Sequence, residues 1–145
     1  MPIVTGAAEG IGRWIAERLA ANGARVVFTD VHASHAADAA AACNGCTARA
    51  MDVTNDAQVV EVIAGTVSEY GRLDIVVNNA GVNTLENRVT IDEFPRSEWD
   101  RLLSVDLDGL FNVSKAAARV MRQQQSGRII NIASVAGLVP LRLQC

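Results

Sequence analysis

Short apolar runs alternate along the chain with stretches whose apolar residues recur at helical spacing. Ile3-Val4-Thr5 is an apolar run leading into glycines, and behind it Ile11, Ile15 and Leu19 recur every four residues, the spacing of one helix face. Gly23 is placed to end that helix as a left-handed cap. Arg25 to Thr29 is a β-branched run closed by Asp30, and an Ala-rich helix is expected from about Ser34 to Cys43. Thr47 to Met51 reads as a third strand. Thr54 or Asn55 can cap the next helix, whose Val59, Ile63 and Val67 form a stripe ending at Tyr70-Gly71. Leu73 to Val77 is a fourth strand, followed by a loop of mixed composition to about Arg96. Ser97-Glu98-Trp99-Asp100 has the form of a capping box, opening a long helix with Trp99, Leu103, Leu107, Leu110 and Phe111 expected on its buried side. Gly127 is expected to stop it. Arg128 to Ala133 is a fifth strand, and Ser134 to Cys145 a tail.

Apolar strands alternating with helices imply parallel strands covered on both faces, because right-handed crossovers put helices on each side of the sheet. The pattern therefore predicts a doubly wound α/β fold of Rossmann type with about five strands. At 145 residues the chain is expected to form a single domain over 1–145.

Composition narrows the partners. A formal charge of −3 argues against nucleic acid, which needs clustered Lys and Arg to displace counterions. No apolar run approaches the roughly 20 residues of a spanning helix, and the start lacks a signal-peptide pattern, so a cytoplasmic protein with no membrane partner is expected. Three cysteines, an odd number, read as reduced thiols. Cys43-Asn-Gly-Cys46 with His32 and His35 invites a zinc reading, but about ten helical residues, roughly 15 Å, separate the two pairs, too far to converge on one ion. No metal is expected. A redox role would want a helix N-terminus beside the thiols, whereas these follow a helix, so the pair reads as a plain loop.

Candidate chemistry gathers at the first strand-to-helix turn, Thr5-Gly-Ala-Ala-Glu-Gly-Ile-Gly12. Backbone N–H groups at a helix N-terminus can hold a pyrophosphate, and the missing Cβ atoms of Gly6, Gly10 and Gly12 permit a tight turn, phosphate approach and close helix packing. Alone, three glycines could equally serve only the turn. Asp30 closes the second strand at the offset where a carboxylate accepts hydrogen bonds from the adenosine ribose, although a strand-end turn residue is its plainer alternative. The ribose reading favours NAD, since a 2′-phosphate would face the charges of Asp30 and of Glu9.

With these residues in view the chain resembles the short-chain dehydrogenase/reductase family in its classical form. Thr5-Gly6-x-x-x-Gly10-Ile11-Gly12 matches that family's cofactor turn, and Asp52-Val53 its adenine-contacting pair. Asn78-Asn79-Ala80-Gly81 matches its Asn-Asn-Ala-Gly segment, whose second Asn borders the cofactor and whose first steadies the sheet. Arg128 to Ser134 matches its fifth strand and catalytic serine. The similarity runs from Ile3 to about Pro140. It implies an NAD-dependent oxidoreductase acting on an alcohol or carbonyl substrate, and a homo-oligomer or association with a full-length relative; pairing through the long helix belongs to the alternative of a noncatalytic module. Without the family, the same Asn and Ser residues read as turn amides and a strand-end hydroxyl.

The resemblance also implies a Tyr-x-x-x-Lys about a dozen residues beyond Ser134, in which the ammonium lowers the phenol pKa toward working pH. No such motif occurs in these 145 residues: Tyr70 is the only Tyr and Lys115 the only Lys, each expected on another helix. Asp106 stands where the family has Asn; it lacks the amide donor and is assigned no catalytic role. The expectation is a cofactor-binding half, inactive alone and missing the family's C-terminal strands and helices, with a noncatalytic NAD-binding or assembly module, or a vestigial fragment, as the alternative.

Overall fold

The computed structural model describes residues 1–84 and 88–138. Five short strands, β1 (Pro2–Thr5), β2 (Val27–Asp30), β3 (Thr47–Ala50), β4 (Ile75–Asn78) and β5 (Arg128–Asn131), form one parallel sheet in the order β3-β2-β1-β4-β5. Helices α1 (Gly10–Ala21), α2 (Ala33–Ala41) and α3 (Asp56–Tyr70) make the first three crossovers. The fourth carries a 3-10 turn (Ile91–Glu93), α4 (Arg96–Leu103), a π-helical segment (Ser104–Gly109) and α5 (Leu110–Gln124). A second 3-10 turn, Val135–Gly137, follows β5.

Alternation along each strand divides the core. Ile3, Val27 and Val76 point to one face and are buried with Val59 and Ile63 of α3 and Val113 and Ala117 of α5. Val4, Phe28 and Val77 point to the other, against Ala16 of α1 and Ala39 and Ala40 of α2. Each such Val, Ile or Phe removed from water contributes roughly 1.5–3 kcal/mol, so the central strands anchor both layers. Among the described residues β3 and β5 are the two edges, and β5 is the more exposed. The doubly wound order reverses between β1 and β4, which opens a crevice at their C-terminal ends.

Several boundaries and faces differ from the sequence expectation. The Ala-rich helix ends at Ala41, and Cys43 already belongs to a turn. Between Thr54 and Asn55 the cap falls to Asn55, whose side chain accepts from the Gln58 N–H at 3.1 Å. The capping box does not form. Pro95 takes the cap position, its carbonyl accepts from the Glu98 and Trp99 N–H groups, and Ser97 already lies inside α4. The long helix ends on Gln125 in the left-handed conformation, before Gly127.

The largest difference is which side of the long helix is buried. Trp99, Leu107 and Phe111 are 40%, 58% and 59% exposed, while Gly109, Val113, Ala116, Ala117 and Met121 face the core. The π-helical segment has more residues per turn than an α-helix, so positions before and after it do not share one four-residue stripe. Close approach also selects small residues: a Cβ on Gly109 would lie 2.5 Å from the Val53 side chain. Similarly on α1, Ile11 is 66% exposed and the buried positions are Gly12 and Ala16. Pro140 and Cys145 of the expected tail lie outside the described residues.

Candidate functional site at the C-terminal edge of the sheet

The crevice between β1 and β4 begins with the glycine turn. Thr5, the last residue of β1, is buried; its Oγ1 accepts from the backbone N–H groups of Asn79 at 3.0 Å and Ala80 at 2.9 Å. In return the Asn79 side-chain amide donates to the carbonyls of Thr5 at 2.9 Å and Gly6 at 3.1 Å. The two loops therefore approach closely enough to exclude side chains. A Cβ on Gly6 would sit 2.9 Å from Ala80 Cα, and one on Gly12 would sit 2.3 Å from both the Asn79 amide nitrogen and the Gly6 carbonyl. Gly10 differs: its φ of +58° favours glycine, and a Cβ there would meet nothing within 4 Å. The first turn of α1 is thus open on its outer side.

Asn78 turns the other way, donating to Ser114 Oγ of α5 at 2.9 Å and to Asn131 Oδ1 of β5 at 2.8 Å. It ties β4 to both neighbours. Asp30 closes β2 with Oδ2 accepting from the Ala8 N–H at 3.2 Å and Oδ1 from the His32 N–H at 3.0 Å, so one carboxylate braces the glycine turn and the start of α2. Asp52 shapes its own turn, its Oδ1 accepting from the Thr54 N–H at 2.9 Å and hydroxyl at 2.8 Å.

These segments enclose a cleft of about 490 Å³, lined by Gly6, Asp30, Met51, Asp52, Val53, Ala80 and Gly81 on the strand side and by Arg101, Ser104 and Val105 on the helix side. Its rim is tied to the long helix. Asp106, in the π-helical segment, accepts from the Val82 N–H at 2.8 Å, and Arg101 donates to the Asn83 carbonyl at 3.1 Å. Arg101 also pairs with Glu98 at 2.8 Å and, chiefly through that hydrogen bond, holds the Glu98 carboxyl below its ordinary range.

A doubly wound sheet with a Thr-Gly-x-x-x-Gly-x-Gly turn locked to an Asn-Asn-Ala-Gly strand end is a specific combination, and comparison with known proteins decides it. The family model for short chain dehydrogenases matches residues 1–145. The chain belongs to the short-chain dehydrogenase family. It is 44% identical to an uncharacterised oxidoreductase of Bacillus subtilis, covering 94% of this chain and 54% of that protein. A 3-oxoacyl-[acyl-carrier-protein] reductase of Synechocystis is 40% identical, with 94% and 56% covered, and a D-beta-hydroxybutyrate dehydrogenase of Cupriavidus necator 36% identical, with 94% and 54% covered. The crystal structure of gox2181 superimposes with a TM-score of 0.93 at 31% identity, covering 97% of this chain and 56% of that one. The chain therefore spans about half the length of the curated relatives it matches. The short-chain dehydrogenase family binds a nicotinamide dinucleotide, NAD or NADP.

Within this member of the family the structure brings Gly6, Asp30, Asp52, Val53, Ala80 and Gly81 together around the cleft. Glu9, Gly10 and Ile11 are exposed at the N-terminal end of α1, with Glu9 as its cap residue. Gly12 and Asn79 stand behind the turn as its support. Ser134 lies apart, exposed after β5, its Oγ accepting from the Ala136 N–H at 3.1 Å. Tyr70 closes α3, donating to Thr47 Oγ1 at 3.2 Å under the Arg25 guanidinium, and Lys115 is exposed over the Phe111 ring. His32 and His35 face each other at the first turn of α2, the opposite end of that helix from Cys43. Sequence reasoning missed Thr5 as the hub of the turn and Arg101 as a rim residue. Asp106 and Gly109 in the middle of a long helix, a polar residue and a helix weakener, were the available sign of the π-helical segment.

Among the described residues no helix is long and apolar enough to cross a membrane.

Proposed function

We propose that these residues are the dinucleotide-binding half of an oxidoreductase that moves hydride between NAD and an alcohol or carbonyl compound. The observation that carries the reading is Asp30, a carboxylate at the cleft wall with two backbone N–H partners already in place. A carboxylate has about four acceptor positions, so two remain for the hydroxyls of an adenosine ribose.

The other residues fit the same ligand. The open first turn of α1, from Gly10 to Gly12, offers N–H groups and the positive end of the helix dipole to a diphosphate. Asp52 and Val53 border the adenine, and Ala80 and Gly81 line the path toward the reacting ring without side-chain bulk. Asn79 keeps that wall in register through the Thr5 and Gly6 carbonyls. NAD, when bound, supplies the ring that accepts or returns the hydride. Ser134 is the candidate to orient a substrate oxygen; Asp106 is a positioning residue through Val82. Glu9 and Asp30 together would repel a 2′-phosphate, which favours NAD over NADP. Within these 145 residues no phenol and ammonium stand together to carry the proton. Free Cys43 and Cys46 suit a reducing, cytoplasmic setting.

A second reading, a binding or assembly module without turnover, draws support from Trp99, Leu107 and Phe111, which leave an apolar strip on the outside of α4 and α5. A homo-oligomer or a complex with a full-length relative would cover it.

Calorimetry with NAD and NADP tests the cofactor assignment. NAD should bind more tightly, and Asp30→Ala should weaken NAD by about tenfold or more, the order expected for hydrogen bonds to a charged group, while narrowing the difference from NADP. A circular-dichroism melt of the variant controls for the lost brace on Ala8. Equal affinity of the unaltered chain for both dinucleotides would overturn the preference, and binding of neither would overturn the cleft assignment itself.

A further inference from the structure

The cysteine pair gains a meaning from the structure that its spacing alone lacked. The Cys46 N–H donates to the Cys43 carbonyl at 3.2 Å, and Gly45 takes a φ of +73°, which makes residues 43–46 a hydrogen-bonded β-turn. A β-turn holds its first and last Cα atoms within about 7 Å, and a disulfide accepts Cα separations of about 4.4–6.8 Å. Both side chains pack against the same apolar cluster beneath α1 and α2, so they lie on one side of the turn. Neither is sealed from solvent. A cleft of about 420 Å³ between α1 and the end of α2, lined by Glu17, Ala20, Ala42 and Cys43, opens onto the first thiol.

We infer that Cys43 and Cys46 form a dithiol modification site that a low-molecular-weight disulfide converts to an internal disulfide. The Cys43 thiolate attacks one sulfur of the reagent RSSR, forming a mixed disulfide and releasing RS⁻. The Cys46 thiolate then attacks the Cys43 sulfur, closing the Cys43–Cys46 bond and expelling the second RS⁻. Two protons leave the protein thiols and two RSH are formed, so the protein is oxidised by two electrons and the reagent reduced by two. Burial, then the neighbouring Cys46 and Glu17, push the Cys43 thiol up, which lowers its thiolate fraction and makes opening of the reagent the slow step.

The site is independent of the dinucleotide cleft. Asp30 and Asp52 flank the C-terminal ends of β2 and β3, whereas the 43–46 turn precedes the N-terminal end of β3. Oxidation should therefore leave NAD affinity unchanged.

The test uses the full chain in mixtures of oxidised and reduced glutathione, quenched with an alkylating agent and digested with trypsin. The fragment Val26–Arg49 carries both cysteines and excludes Cys145. In oxidising mixtures this fragment should become lighter by two hydrogen atoms and resist alkylation, and dithiothreitol should reverse both changes. Cys46→Ser should instead accumulate glutathione on Cys43, an adduct that stays scarce in the unaltered chain. A fragment that remains fully alkylatable in oxidised glutathione alone would overturn the proposal. So would separate glutathione adducts persisting on both cysteines of the unaltered chain, or equal adduct levels with and without Cys46.

Discussion

The two sides of the crevice are built by different means. On the nucleotide side, residues more than 70 positions apart are stitched together: Thr5 receives the N–H groups of Asn79 and Ala80, and Asn79 returns its amide to Thr5 and Gly6. On the side of β5, Ile130 and Ile132 are each 38% exposed, and among the described residues the hydrogen bonds of Ser134 are local, from the Ala136 N–H to its Oγ and from the Gly137 N–H to its carbonyl. The first wall is preorganised by its own hydrogen bonds before any ligand arrives. The second takes its position from β5 and from whatever packs on that edge. A diphosphate is recognised by backbone groups that must already be in place, and the rigidity lies where that recognition would occur.

The largest break in this contrast is Gly12→Ala. The added methyl would fall 2.3 Å from the Asn79 amide and the Gly6 carbonyl, the backbone oxygen having little room to yield. Forcing α1 away from the turn should destabilise the chain by about 3 kcal/mol, the upper part of the usual range for overpacking, read from the shift in urea midpoint. A midpoint unchanged from the parent would show that α1 is not held against the turn. Thr5→Val comes next. It keeps the shape and removes the acceptor, leaving the half-buried N–H groups of Asn79 and Ala80 without it, for a loss of about 2 kcal/mol in the same titration. Thr5→Ser, which keeps the oxygen, should recover most of that loss. If Val costs nothing while Ser does, the methyl and not the hydroxyl matters at this position.

Strands of alternating apolar residues and the glycine turn were legible because their causes are local: β-branched runs buried on both faces, and a backbone geometry that only glycine permits. The faces of the helices were less legible. Large residues such as Trp99, Leu107 and Phe111 dominate an apolar stripe, yet the long helix buries Gly109, Ala116 and Ala117, because packing distance against Val53 and α3 selects small groups. Asp30, Asp52 and the Asn78-Asn79 pair could be located by strand ends. Their partners could not: that Asp30 would brace Ala8, or Asp106 accept from Val82, depends on loops meeting across the sheet. The Cys43 and Cys46 pair shows the same limit, since a pair following a helix gives no reason in sequence for the turn that Gly45 closes.

The smallest expected effect lies on the β5 side. Ser134→Ala removes one hydrogen bond, to the Ala136 N–H, from an exposed residue whose donor can turn to water. Nothing buried is left unpaired, so the loss of stability should stay within about 0.5 kcal/mol in the urea titration that registers Gly12→Ala and Thr5→Val. NAD affinity should not move either, since Ser134 does not line the cleft. This near-silence would support the role proposed for the residue: a side chain that costs nothing in folding or dinucleotide binding is free to be kept for the substrate oxygen alone. A loss comparable to that of Thr5→Val would place Ser134 in the scaffold, and the contrast between a locked nucleotide wall and a loosely held β5 wall would fail with it.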